Sequence, residues 1–212
     1  NSLIMYWTEF LTIAVAHLVA VASPGPDFAV VLRQCVTYGT KAGIWTSIGV
    51  ATGILLHVSY CILGVAFLLS QSPSFFNAMK FLAALYLLYL GVQSILESLG
   101  SAVTEEVMED NSSVDPRKAF VLGFLTNGLN PKATLFFLAL FAVIIRQDTS
   151  TSVQIAYGIY LSIATFIWFA MMSKILGHAA VRMWFIRLGA WFERVMGVIL
   201  ILLALQIVFY GS

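Results

Sequence analysis

Charge is what this sequence has least of: 10% of its 212 residues are Asp, Glu, Lys or Arg, against 60% that are hydrophobic. Soluble domains carry about 25% charged and about 45–50% apolar residues, so this chain cannot cover a globular surface with polar groups. Its solvent must be largely lipid, which excludes the soluble class. Cysteine is scarce too, and Cys35 and Cys61 are too few for a disulfide framework or a metal cluster. A net charge of +1 gives no basic footprint for nucleic acid. No HExxH, nucleophile elbow or phosphate loop is present, so neither an enzyme nor a cofactor is expected. The N-terminus has no basic region ahead of its apolar stretch, and a cleavable signal peptide is not expected either.

What the sequence has instead is long runs without charge. Phe10 to Pro26, Ala42 to Met79, Phe81 to Leu96, Ala133 to Ile145, Thr149 to Ser173 and Val195 to Ser212 contain no Asp, Glu, Lys or Arg. Crossing a hydrocarbon core of about 30 Å takes about 20 helical residues. These runs, with "SQSPSFFN" dividing the second near Pro73, predict six spans near residues 8–32, 44–69, 78–97, 119–145, 154–176 and 190–210. The expected class is an all-α integral membrane protein with the lipid bilayer as its surroundings.

Lys and Arg are retained in cytoplasmic loops. The first, third and fifth connections hold Arg33, Lys41, Arg117, Lys118, Lys174, Arg182, Arg187 and Arg194, and the other side holds Lys80 and Arg146. Both termini are therefore expected outside. The third connection, "GSAVTEEVMEDNSSVDPRK", is polar and acidic and divides the chain into residues 1–99, a linker 100–118, and residues 119–212. "VATGILLHVSYCILG" from Val50 answers "IATFIWFAMMSKILG" from Ile163 at an offset of 113, and Gln93 answers Gln206. Three spans per block is an odd number, so a repeat would be inverted, with the second copy entering from the opposite face.

Each block also has a break in its first helix. "ASPGPDF" interrupts span one and "TNGLNPKA" span four, and aligning Pro24 with Pro131 sets Ser23 against Asn130. Proline in a helix interior costs about 3 kcal/mol and glycine about 1 kcal/mol. In lipid such a break persists only where protein or a wet cavity satisfies the freed backbone groups. Both breaks should face inward, each starting a second half-helix whose N–H groups attract anions near the midplane. A carboxylate site where the two ends meet is the expectation.

Asp27 can cap the new half-helix. An aspartate near the membrane centre costs about 2.5–3.5 kcal/mol, however, and serine would cap more cheaply, so binding an ammonium or carrying a coupling proton is the sharper reading. Lys132 opposes the local dipole and either snorkels or pairs with Asp27 or a substrate carboxylate. Asn127 and Asn130, three apart, share a face of any helical turn. His17 and His57 fit packing histidines as well as proton relays. "GVATG", Gly49 to Gly53, is a small-xxx-small pattern for packing inside a bundle or between copies.

"SPGPDF" in the first helix together with "GFLTNGLNPKA" at the start of the second half resembles the LysE/RhtB amino-acid exporters, a likeness that covers nearly the whole chain. The resemblance implies a secondary exporter in the bacterial inner membrane, expelling amino acids such as basic ones or homoserine and threonine by proton antiport. Its motif residues fall on Ser23, Pro24, Gly25, Pro26 and Asp27, and on Asn127, Asn130, Pro131 and Lys132, with Asp27 as the proton-coupling group. Which amino acid moves, and whether the protein works as a homodimer, stays open. Two other readings compete. A thiol-relay protein of related architecture would place a cysteine in the broken first helix of each repeat, whereas Cys35 and Cys61 occupy neither break and are not related by the repeat offset. A metal-cation exporter could gather ligands around Asp27, but His17 is ten residues away and no acidic residue neighbours it in the spans.

Overall fold

The computed structural model describes residues 2–23, 25–71, 73–99, 115–146, 148–176, 188, 191, 194–202, 204–205 and 208–209. Among these residues the chain is helical without strands. The helices with defined bounds are α1 (Ser2–Ala22), α2 (Pro26–Tyr38), α3 (Thr40–Gln71), α4 (Pro73–Glu97), α5 (Pro116–Gly128), α6 (Pro131–Val143) and α7 (Thr151–Ile175). Residues 194–202 are helical as well.

Proline sets this division by starting helices. α2, α4, α5 and α6 each begin at a proline, where the missing N–H would have had no partner in any case and the fixed φ suits a first turn. Asp115 caps α5 by accepting from the Arg117 amide at 2.9 Å, so Arg117 and Lys118 belong to a helix. Gly39, at φ 88, lies in the left-handed region that closes α2 at little steric cost before α3 begins.

Helical segments occupy each of the six positions expected of spans. Thr40–Gly64 and Thr151–Ile175 are each long and apolar enough to cross a bilayer, and α1 with α2, bent by 52°, makes a third. Ala84–Leu96 and Pro131–Phe141 are shorter apolar helices. The outer surface is what lipid requires. On α7, Ile155, Ile159, Ile163, Ile167 and Met171 recur every four residues and all are about half exposed, a stripe that water would not tolerate. Trp7, Leu11, Val15 and Leu18, three or four residues apart, form a similar exposed stripe on α1.

The interior is built around α3, which packs against α2, α4, α5, α6 and α7. Its closest neighbour is α5. A Cβ on Gly49 would fall 2.0 Å from the Phe120 carbonyl oxygen, and one on Gly123 would fall 2.2 Å from that of Thr46. The small-xxx-small pattern therefore joins two helices of one chain, backbone to backbone. A second such contact is reciprocal: a Cβ on Gly91 would meet the Gly197 carbonyl and Ile201, and one on Gly197 would meet the Gly91 carbonyl and Ile95.

Glu9 escaped the sequence reading because it precedes the first charge-free run. It is 5% exposed, and its Oε1 accepts from the Arg146 amide at 3.1 Å and the Thr149 hydroxyl at 2.9 Å. The Tyr157 hydroxyl lies 3.3 Å from Oε2. A buried carboxylate thus fastens α1 to the turn between α6 and α7. Residues 100–114 of the expected linker, Arg182, Arg187 and Gln206 lie outside the described residues.

Candidate functional site

The first break is an extended step. α1 ends with the Ser23 amide bonded to the carbonyls of Val19 and Ala20, at 3.1 and 3.3 Å. Gly25 is extended, and α2 begins at Pro26. Gly25 is the N-cap, and no side chain caps this end. Asp27 sits in the first turn and is not the cap, which removes the simpler of its two readings. Pro24 lies outside the described residues.

The second break is capped. The Asn130 amide turns back to the Asn127 carbonyl at 2.9 Å, and its Oδ1 accepts from the amides of Lys132 at 3.0 Å and Ala133 at 3.4 Å. Pro131 opens α6 and does not line the cavity described below. Two equivalent amide ends were expected, and the two differ: Asn130 already occupies the start of α6, leaving the start of α2 as the end without a side-chain cap.

The breaks converge. Asn127 Nδ2 donates to Asp27 Oδ2 at 2.8 Å, a contact across 100 residues of sequence. One cavity is lined by Ser23, Gly25, Pro26, Asp27, Asn127, Asn130 and Lys132, bringing together seven of the nine expected residues. Asp27 Oδ1 is buried and accepts no hydrogen bond from the described residues. Lys132, in the first turn of α6, faces the same cavity and acts electrostatically on the Asp27 carboxylate.

α3 supports this arrangement from behind. His57 is fully buried, and its Nε2 lies 2.9 Å from the Asn127 carbonyl oxygen. A carbonyl can only accept, so Nε2 carries the hydrogen and Nδ1 accepts from the Tyr60 hydroxyl. The ring stacks on Phe137 with centroids 5.4 Å apart. His57 thus gives a second hydrogen bond to a carbonyl at the break that also accepts from the Asn130 amide. Replacing His57 with leucine removes both bonds of the ring, to that carbonyl and to the Tyr60 hydroxyl, and should lower stability by about 1–3 kcal/mol, and Tyr60→Phe should cost about 0.5–1.5 kcal/mol. Thermal unfolding of the purified variants in detergent measures both.

His17 lines the cavity directly, with Nε2 2.9 Å from the Thr165 hydroxyl on α7. Gln93 is exposed and does not line it. The apolar lining, which includes Ile54, Phe136, Phe137, Phe169 and Met196, was not anticipated, because nothing in an apolar run distinguishes a cavity wall from a lipid face. Gly53 was read only as a packing residue. A Cβ there would fall 2.4 Å from Asn127 Oδ1, so the missing side chain makes room for the asparagine that meets Asp27. Among the described residues no three of His, Cys, Asp and Glu gather as metal ligands, and nothing supports the metal-cation reading.

The sequence pattern described as "LysE type translocator" matches residues 18–211. The threonine efflux protein of Escherichia coli (strain K12) is 24% identical over 184 residues, 87% of this chain and 89% of its own. The leucine efflux protein of Klebsiella pneumoniae is 31% identical over 144 residues, 68% of this chain and 66% of its own. That of Salmonella choleraesuis is 36% identical over 141 residues, covering 64% and 61%. No solved structure matches the chain.

Proposed function

The chain belongs to the LysE type translocator family, and from that premise we propose that it is a secondary transporter exporting amino acids by proton antiport across a bacterial inner membrane. The observation that carries the reading is the Asn127–Asp27 hydrogen bond, which joins two helix breaks in one lined cavity. The relatives are named for threonine and leucine efflux, which agrees with a zwitterionic substrate.

The substrate ammonium would sit against Asp27, whose Oδ1 has acceptor capacity left. Its carboxylate would meet the start of α2, which lines the cavity without a side-chain cap, in the field of Lys132. Ser23, Gly25, Pro26, Asn127 and Asn130 shape that end. Protonation of Asp27 from outside weakens its hold on the ammonium and favours release, and deprotonation inside restores binding.

Alternating access fits two three-helix blocks of opposite orientation with both termini outside. The reciprocal contact of Gly91 and Ile95 with Gly197 and Ile201 supports a two-fold relation between the blocks, because each pair is 106 residues apart and makes the other's contact in return. That offset is close to the one aligning Pro24 with Pro131.

The test is transport by the purified protein in liposomes carrying an imposed pH gradient and loaded with radiolabelled amino acids. Efflux that follows the gradient and needs no added metal is the expected result. Gradient-insensitive vesicles that release no amino acid faster than protein-free controls would end the proposal.

A further inference from the structure

Formal charge in the cavity sums to zero before a substrate arrives. Setting aside His17, its lining among the described residues holds one carboxylate, Asp27, and one ammonium, Lys132, both at the helix breaks. Much of the remaining lining is Ile54, Phe136, Phe137, Phe169 and Met196, each 4% exposed or less. Away from the breaks the polar side chains are His17 and Thr165, and these two are bonded to each other.

An amino acid held through its α-ammonium and α-carboxylate is a zwitterion, so its backbone leaves the sum at zero. Its side chain then meets the apolar lining. Lysine or arginine would bring an additional positive charge, yet the one lining carboxylate is already matched to the α-ammonium. Glutamate would bring a negative charge with no second lysine or arginine among the described lining residues to meet it. An uncompensated charge at membrane depth is strongly disfavoured, and the group cannot be solvated by phenylalanine and isoleucine.

We propose that this cavity selects amino acids with uncharged, predominantly apolar side chains, the leucine, isoleucine and methionine class, and rejects basic and acidic ones. The selection rests on the amino-acid reading of the site and narrows it, excluding the basic amino acids that the family resemblance implied beside homoserine and threonine. Lys132 is the specificity-determining residue in this scheme, because it sets the net charge against which a side chain is judged.

Liposomes containing the full chain are loaded in turn with radiolabelled leucine, methionine, lysine and glutamate, and melting of the protein in detergent is followed with each. Leucine and methionine should leave rapidly and raise the melting temperature, and lysine and glutamate should do neither. Lysine or glutamate efflux as fast as that of leucine overturns the selectivity and leaves amino-acid export intact. No efflux and no stabilisation by any of the four overturns the amino-acid reading itself, and this inference with it.

A variant supplies the second arm. Lys132→Gln removes one positive charge, so a cavity loaded with lysine becomes neutral and the lysine-to-leucine efflux ratio should rise by about tenfold or more, whatever happens to the absolute rates. An unchanged ratio in a variant that melts like the parent counts against the charge-sum argument.

Discussion

Asp27→Asn should leave a folded protein whose amino-acid efflux no longer responds to a proton gradient. Asparagine has the shape of aspartate, and its carboxamide can still accept the hydrogen bond that Asn127 Nδ2 now gives to Oδ2 at 2.8 Å. The bridge between the breaks is kept while the charge is lost. A hydrogen bond to a charged group is worth about 1.5–3 kcal/mol, so substrate affinity should fall by about ten- to a hundredfold. The coupling proton would have no carboxylate to occupy. Efflux at saturating substrate, measured with and without the gradient, separates the two effects. Full gradient dependence in this variant would remove Asp27 from the mechanism.

A large structural effect is expected at Gly123. Alanine there would place a Cβ 2.2 Å from the Thr46 carbonyl oxygen, and that atom is backbone, with no rotamer to yield. α3 and α5 would have to separate along a seam where Gly49 makes the mirror contact on Phe120. Overpacking of this kind costs about 1–3 kcal/mol and occasionally more, enough to lower both yield and melting temperature in detergent. Gly64→Ala is the control. It lies on the same α3, and a Cβ there meets nothing within 4 Å, so stability should hold or improve slightly. Equal losses in the two variants would mean that the seam is not close-packed.

The class of the protein, the helix positions and the two breaks were legible because each rests on local signals. Lipid forbids charge, so charge-free runs betray helices. Proline forbids a helix interior, so "SPGPDF" and "GLNPKA" mark where two must end. The convergence of those breaks also followed from a physical requirement, since a broken helix cannot face acyl chains. What stayed hidden depended on orientation. Asn130 was expected to face the cavity with Asn127, and it does, but that its oxygen also caps α6 was not foreseen. Asp27 could have been a cap, and the extended Gly25 took that place. His57, buried behind the break, read as a packing residue or a proton relay. Its role comes from the carbonyl it meets, which is 70 residues away in sequence. Glu9 lay at the edge of an apolar run and offered no clue to the turn it holds.

The two breaks are not built alike, and this has a consequence for motion. On the α5–α6 side, Asn130 and His57 supply hydrogen bonds for the interrupted backbone from within the chain. That wall is a finished mould, and little disorder has to be surrendered there when cargo arrives. The α1–α2 side turns on the extended Gly25, which brings no side-chain cap to the start of α2. Any adjustment that seals the cargo should therefore begin at Gly25, making the α1–α2 side the moving jaw and the α5–α6 side the anvil.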